Sequence, residues 1–594
     1  MALRARIAPT QPEPAHTWPW HKAKWSIVRV SQIIHGDRRM EAETYLSSGY
    51  GIRVAIESKP EGWQRLGSLA HVWMPGRLKG VQVEPEYGAP FLAATAVYAA
   101  RPIPRKWLSI EQTPDAENRF VSPGMILVTC SGTVGRPTLA TDVHKGCLIS
   151  HDLLRVGPRN DRDAGWLYAY LHSPQTRAMT VGAHYGQIIK HLETGHLDAL
   201  PVPMVDATTK SHFAARMNRI LSLRNESHRL TLEADRMFEQ ALGPVDIEDT
   251  GENGFSIHAA PLFSSRRRLD AAYHNPVASA IRRHLRKNGA GFTTIEAAGY
   301  EVWLPARFKR VPAEDGVAFR DSSSLTEVNP QTPKRIADGD FGDPYRGRVE
   351  PGWVLMARSG QVYGIIGTPV LASDAMRGYI ISDHVMRFRP LESADIEAGY
   401  LVVALSHPTL GRPLVKALAS GSSVPEIDVA DMQAFSVVRL PNDVEAEIAR
   451  LVEASAQARA DADELEREIA RDAGKIIDRF IDKPVLRLVV TDLTAEEEEA
   501  AERFRTLAEQ WRAERPPGAN VGAMIDHPAY RSVIDLGEMA IRPILEDLMR
   551  EPDHWFPALN AIAGANPVPI GHEGRLKLMA EDWIAWGRAE GYLS

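Results

Sequence analysis

Only two cysteines, Cys130 and Cys147, occur in 594 residues. They cannot supply a disulfide framework, and the opening MALRARIAPTQPEPAHTWPWHKAKW lacks the apolar core of a signal peptide, so a reducing cytoplasm is the expected compartment. No run of about 18 apolar residues exists, which excludes a membrane-spanning helix. No glycine-rich loop followed by Lys-Ser/Thr occurs, which excludes a P-loop motor. There is no Asn/Asp-Pro-Pro-aromatic motif, no glycine-rich methyl-donor loop and no evident nuclease centre of spaced carboxylates and lysine. The chain is therefore expected to be non-catalytic, with no cofactor and no metal.

An excess of basic charge is missing too. Of 69 basic and 76 acidic residues, 11 and 19 lie from Pro484 to Ser594, leaving 58 and 57 before that point. The acidity belongs to the tail. The remainder is neutral on average, so any nucleic-acid binding would depend on local basic patches.

What the chain does have is an internal repeat. Arg38-Arg39-Met40-Glu41-Ala42 recurs as Arg267-Arg268-Leu269-Asp270-Ala271. VWMPGRLKGV from Val72 returns as VWLPARFKRV from Val302, and PGMILVTCSGTVG from Pro123 as PGWVLMARSGQVYG from Pro351. ISHDLLRV from Ile149 returns as ISDHVMRF from Ile381, and YLHSP from Tyr170 as ALSHP from Ala404. The offset drifts only between 228 and 234 residues, in constant order.

Each copy reads as mixed α and β. ILVTCSG and VLMARSG are short β-rich runs closed by a Ser-Gly turn. LISHDLLRV and YIISDHVMRF read as further buried strands. Helices are predicted over Ala164–Leu171 and Ile396–Leu405, each stopped before a proline, and ALPVPMV and AFSVVRL as closing strands. A long helix follows each copy, Thr208–Leu242 and Asn442–Ile481. Ile220, Leu223, Ser227, Leu230, Ala234 and Met237 alternate spacings of three and four, as do Ile448, Leu451, Ser455, Ala458, Ala462, Leu465 and Ile469. That alternation keeps one seam towards a partner helix, so the two are expected to pair as a coiled coil.

The predicted fold class is α+β: two tandem mixed α/β domains, each followed by a long coiled-coil helix, plus a small all-α C-terminal domain. Predicted boundaries are an N-terminal extension at 1–36, domains at 37–207 and 260–440, helices at 208–243 and 441–483, and an acidic helix plus helical domain at 484–594. In the last region Thr494 is the expected N-cap of TAEEEEAAERFRTLAEQWRAE. Trp555, Trp583 and Trp586 suggest an acidic, aromatic surface for a protein partner or, equally, a stabilising cap.

PGMILVTCSGTVGRPTL, LISHDLLRV, LYAYLHSP and, more loosely, YGQIIKHLETGHLDALPVP, set in the order domain–helix–domain–helix, resemble the specificity subunits of Type I restriction–modification enzymes. The resemblance runs from about Arg38 to Pro484, and SGSSVPEIDVADMQAFSVVRLP keeps only its outline. It implies two target-recognition domains, each reading one half of a split double-stranded DNA sequence. The helices would set the distance between the halves and dock methyltransferase subunits, with a restriction subunit as a further partner. Methyl transfer would belong to the partner.

Ser131, Thr133, Ser359 and Gln361 sit at strand ends, where small hydroxyl and amide groups can bond base edges or phosphates. Gln361 suits adenine, and Arg136 and Arg358 suit guanine. The same Ser-Gly turns equally well merely close hairpins. Arg77, Lys79, Arg307, Lys309 and Arg310 beside a Trp-x-Pro turn suit phosphate contacts. Arg101, Arg105 and Lys106, next to Trp107, form the densest basic–aromatic cluster of copy one. It lies in the segment EPEYGAPFLAATAVYAARPIPRKWLS, which differs most from its counterpart AEDGVAFRDSSSLTEVNPQTPKRI. His151-Asp152 and Asp383-His384 have swapped order, so on a strand the imidazole would change faces and no shared catalytic pair is expected. His184, His191 and His196 lack the spacing of helical ligands. The rival readings are an interaction protein of a phage-defence assembly and a DNA-modifying enzyme.

Overall fold

The structure is a computed structural model describing residues 45, 47–77, 79–183, 191–245, 254–257, 259, 268–330, 334–421, 423–481, 495–515, 521–590 and 592–593. The 1–36 extension, the 38–42 repeat block, His184 and the cap Thr494 lie outside the described residues. The chain divides into two compact units, Met1–Ile481 and Asp482–Ser594.

In copy one, Ala70–Trp73, Leu153–Pro158, Ile126–Thr129 and Pro137–Leu139 lie in that order across an antiparallel sheet. Copy two repeats it with Tyr300–Trp303, Val385–Pro390, Val354–Ala357 and Pro369–Leu371. Ile126–Thr129 and Val354–Ala357 are buried at every position, as expected of a central strand covered on both faces. The ends of each copy are tied by a strand pair, Trp63–Arg65 with Pro201–Pro203 and Gly291–Thr294 with Ser436–Arg439. Helices Ala164–His172 and Ala398–Ser406 pack beside the sheets.

LISHDLLRV does not form one strand. It breaks into Leu148–Ile149 and Leu153–Pro158, with His151 and Asp152 in the turn between; Ile380–Ile381 and Val385–Pro390 do the same. A wholly buried arginine sits at the break in each copy. Arg155 donates to the carbonyls of Ser150 (3.0 Å), Leu153 (2.5 Å) and Ile149 (3.0 Å). Arg387 holds Ser382 (2.9 Å), Ile381 (2.6 Å) and Val385 in the same way. Carbonyls that a ladder would otherwise satisfy point instead at one guanidinium, so the strand-face argument about His151 and Asp383 does not apply.

Ala207–Leu242 begins where the Asp206 side chain accepts from Thr209 N–H (2.7 Å) and ends at Gly243 with φ 74°. It runs antiparallel to Asn442–Ile481: Arg216 pairs with Asp472 (2.6 Å), Arg224 with Asp463 (2.5 Å), and Ser227 with Ser455. Each helix serves both copies. Phe213, Met217 and Ile220 join Ala462, Ile469 and Ile477 in the core of copy one, while Leu230, Ala234 and Phe238 join Ile448, Ala449 and Leu451 in that of copy two. Gly165 and Gly399 let each copy's short helix approach this pair closely. A Cβ on Gly165 would lie 2.3 Å from Ala214 N, and one on Gly399 would lie 2.5 Å from the Ala449 carbonyl oxygen.

The unit has an internal pseudo-twofold axis. Ser227 and Ser455 are repeat mates 228 residues apart, and each hydroxyl donates to the other's carbonyl, at 2.9 and 2.7 Å. Ala99 and Glu327, also 228 apart, form an antiparallel bridge. It is flanked by Ala100 N–H to the Thr326 carbonyl (2.8 Å) and Val328 N–H to the Tyr98 carbonyl (2.7 Å). A residue bonding its own repeat mate, with reciprocal neighbours, is the mark of an isologous contact. The helices therefore do not alone hold the copies apart, because the copies also touch directly. Part of each divergent central segment is used for that touch.

In Asp482–Ser594 the described elements are all helical, and Ala495–Glu514 supplies Phe504 and Trp511 to the core of that unit. The tryptophans expected on an aromatic surface are mostly interior: Trp555 and Trp583 are fully buried, and Trp586 is half-buried. Trp555 stacks on Tyr530 with ring centroids 5.1 Å apart, because this small domain needs its large side chains inside.

Candidate nucleic-acid interface

After Ala70–Trp73 and Tyr300–Trp303 the chain leaves each sheet in equivalent loops, where Arg77, Lys79, Arg307 and Lys309 are exposed. Buried Arg119 anchors the first loop by donating to the carbonyls of Gly76 (2.9 Å) and Pro114 (3.1 Å). Arg310, at the end of the second loop, is held by Asp383 (2.5 Å) and lies over the Phe319 ring.

The Ser-Gly turns close hairpins. Gly132 and Gly135 have φ of 69° and 75°, and the Thr129 hydroxyl bonds the Thr133 carbonyl and accepts from Arg136 N–H (2.9 Å). Thr133 and Gln361 are exposed at the tips. Ser131 donates to Asp152 (3.2 Å), whereas Ser359 meets His384 Nδ1 (3.1 Å). The swapped dipeptides thus put a carboxylate below one turn and an imidazole below the other.

Four arginines expected at DNA have protein partners. Arg136 crosses to copy two, pairing with Glu327 (2.8 Å) and donating to the carbonyls of Val328 (3.1 Å) and Asn329 (2.8 Å), with its guanidinium over the Tyr98 ring. Its side chain is only 12% exposed, and both of its terminal nitrogens are engaged by groups of copy two. Arg101 is paired with Asp235, Arg358 with Glu426 and Arg310 with Asp383. Arg105 and Lys106 remain exposed, but Arg105 lies 4.4 Å over the ring of Tyr363 in copy two rather than beside Trp107.

Sequence reasoning missed the buried polar centre. Arg224 pairs with Asp463 (2.5 Å) and Glu466 (2.8 Å), Tyr168 donates to Glu466 (2.6 Å), and Asn329 N–H donates to Asp463 (2.7 Å). Burial raises the Glu466 carboxyl, while Arg224 and the Asn329 amide hold the Asp463 carboxyl low against its own desolvation. Burial also brings Arg155 and Arg387 down to about 10, with His172 at about 3 and His407 at about 4. For Arg155 and Arg387 the available signal was a charged residue at the same place in two otherwise apolar strands; the Arg224 centre has no such counterpart, its mate being Val452.

No helix among the described residues is long and apolar enough to cross a membrane. No family model and no curated protein matches the chain. Among solved structures, it is similar to the Type-I restriction-modification system S subunit from M. genitalium, at 12% identity and TM-score 0.26, over 70% of this chain and 94% of that one. It is likewise similar to the HsdS subunit from Thermoanaerobacter tengcongensis, at 15% identity and TM-score 0.22, over 71% of this chain and 97% of that one.

Proposed function

We propose that this chain is a non-catalytic DNA-specificity subunit that reads a bipartite double-stranded target and directs methyltransferase subunits to it. The observation that carries the reading is the pseudo-twofold pair of repeats, each presenting an exposed basic loop, Arg77/Lys79 or Arg307/Lys309, at the same point of its sheet. Protein twofold symmetry matches the dyad of duplex DNA, so two related copies would meet half-sites on opposite strands. Basic loops supply phosphate contacts that fix register, and the differing turn tips, Ser131/Thr133 and Ser359/Gln361, supply distinct base-edge chemistry. The long helices would carry the docking surface for methyltransferase and, where one exists, restriction subunits. The helical C-terminal unit would serve a further protein partner.

Selection of bound duplexes from a random-sequence pool tests this. The expected result is two short fixed half-sites separated by a fixed number of unspecified pairs, with no methylation or cleavage by the purified chain alone. A pool that stays random after several rounds, or turnover by the homogeneous chain with a methyl donor, refutes the proposal.

A further inference from the structure

The two flanks of the copy–copy contact differ in charge. On one flank Arg136 is neutralised by Glu327. At its mate position stands Thr368, and around it three cations gather: Arg105 from copy one, and Arg412 and Lys416 from copy two. Arg105 lies over Tyr363 (4.4 Å). Arg412 reaches Thr368 Oγ1 (3.5 Å) and the Gly364 carbonyl (3.4 Å), and Lys416 donates to that same carbonyl (3.0 Å) and to that of Val362. Among the described residues none of the three has a carboxylate partner, whereas neighbouring Arg101 is matched by Asp235.

We propose that Arg105, Arg412 and Lys416, gathered around the 361–364 turn where the copies meet, form a seat for DNA backbone phosphate between the two half-sites. The inference rests on the DNA-reading function proposed above and adds to it a sequence-independent contact built from both copies. Arg412 and Lys416 make four hydrogen bonds between them, all to uncharged oxygens, and so leave half of their eight N–H donors unfilled. Like charges held together without a counter-charge are costly, and burial together with Arg412 and Arg105 pushes the Lys416 ammonium down to about 7. An anion relieves both costs. Tyr363 is 61% exposed, so Arg105 is steadied on a ring face at the surface without being neutralised. The neutralised flank at Arg136 indicates that the fold itself does not require an uncompensated cluster.

The test measures binding of the full chain to its selected duplex and to a random-sequence duplex over a range of salt concentrations. Wild type is compared with Arg105→Gln and with the triple variant Arg105→Gln/Arg412→Gln/Lys416→Gln. Each lost phosphate contact lowers the slope of log affinity against log salt by about 0.9, so the triple variant is expected to lose about 2.7. Both duplexes should weaken together, and the selected half-sites should stay the same. Arg105→Gln removes only a contact to an exposed ring, so it reports a drop of about 0.9 even if the triple variant fails to fold. Unchanged slopes in a protein that still selects its bipartite sequence overturn the phosphate seat and leave the specificity function standing. Altered half-sites overturn it by making these residues base readers. Wild type that selects no sequence removes the function and the inference together.

Discussion

Copies one and two share a backbone plan and differ in what they place at its turns. Sheet order, the closing strand pair, the helix-packing glycine and the carbonyl-binding arginine are all duplicated. The groups beneath the Ser-Gly turns are not: Asp152 lies under one and His384 under the other. Nor are the flanks of the copy–copy contact, where Arg136–Glu327 answers an unpaired cluster. The shared features satisfy buried backbone and close packing, where few residues will do. The differing ones sit at tips and seams, where many side chains are compatible with the same fold and chemistry can diverge. The asymmetry extends to the helix pair, where the mate of Arg224 is Val452 and the charged centre exists once.

That single charged centre gives a large expected effect. Arg224→Leu leaves Asp463 and Glu466 buried without their cation and should cost about 3–5 kcal/mol, read by denaturant unfolding of the 1–481 unit. A loss below about 1 kcal/mol would mean that water already reaches the centre. The duplicated arginines test equivalence. Arg155→Leu and Arg387→Leu each strand three carbonyls, at about 1–3 kcal/mol per unsatisfied group, and the two losses should agree. Unequal losses would show that the copies are not equally well packed.

Acid should unfold the unit in a way the histidines predict. His172 and His407 have folded pKa values of about 3 and 4, below the ordinary 6.5, because burial and nearby arginines disfavour the imidazolium. Below 6.5 the unfolded chain binds more protons than the folded one, so stability is full above that pH and falls as pH drops towards 4. Each histidine contributes up to about 1.4 kcal/mol per pH unit in that window. His172→Gln should remove its own share of the slope, and a slope unchanged by the substitution would assign the acid sensitivity elsewhere. The smallest effects belong to the exposed loops. Arg77→Ala and Arg307→Ala should leave stability untouched and each lower the salt slope of DNA binding by about 0.9. Arg136→Ala, by contrast, should loosen the copy–copy contact and lower the melting temperature, with base preference kept.

Much of the fold was legible because repetition and periodicity are properties of sequence alone. The seam residues Ser227 and Ser455, read as coiled-coil positions, meet each other in space, and Ala207–Leu242 and Asn442–Ile481 pair as the spacing requires. The strands around the Ser-Gly turns were legible for the same reason. The candidate site was less so. Arg77, Lys79, Arg307 and Lys309 stand at the surface as basic loop residues should, whereas Arg136, Arg101 and Arg358 are committed to carboxylates. Two of those carboxylates, Glu327 and Asp235, lie more than 100 residues away along the chain.

Sequence by itself determined the duplication, the alternation of domain and helix, and the location of excess acidity in the tail. Each is a local or periodic property carried by residue order. Tertiary structure alone decided that the copies touch about a pseudo-twofold, that ISHDLLRV folds back on Arg155, and which arginines keep an open donor fork. A charge's role depends on which opposite charge and how much water reach it. Those are set by residues far apart in the chain and brought within about 3 Å only by the packed fold.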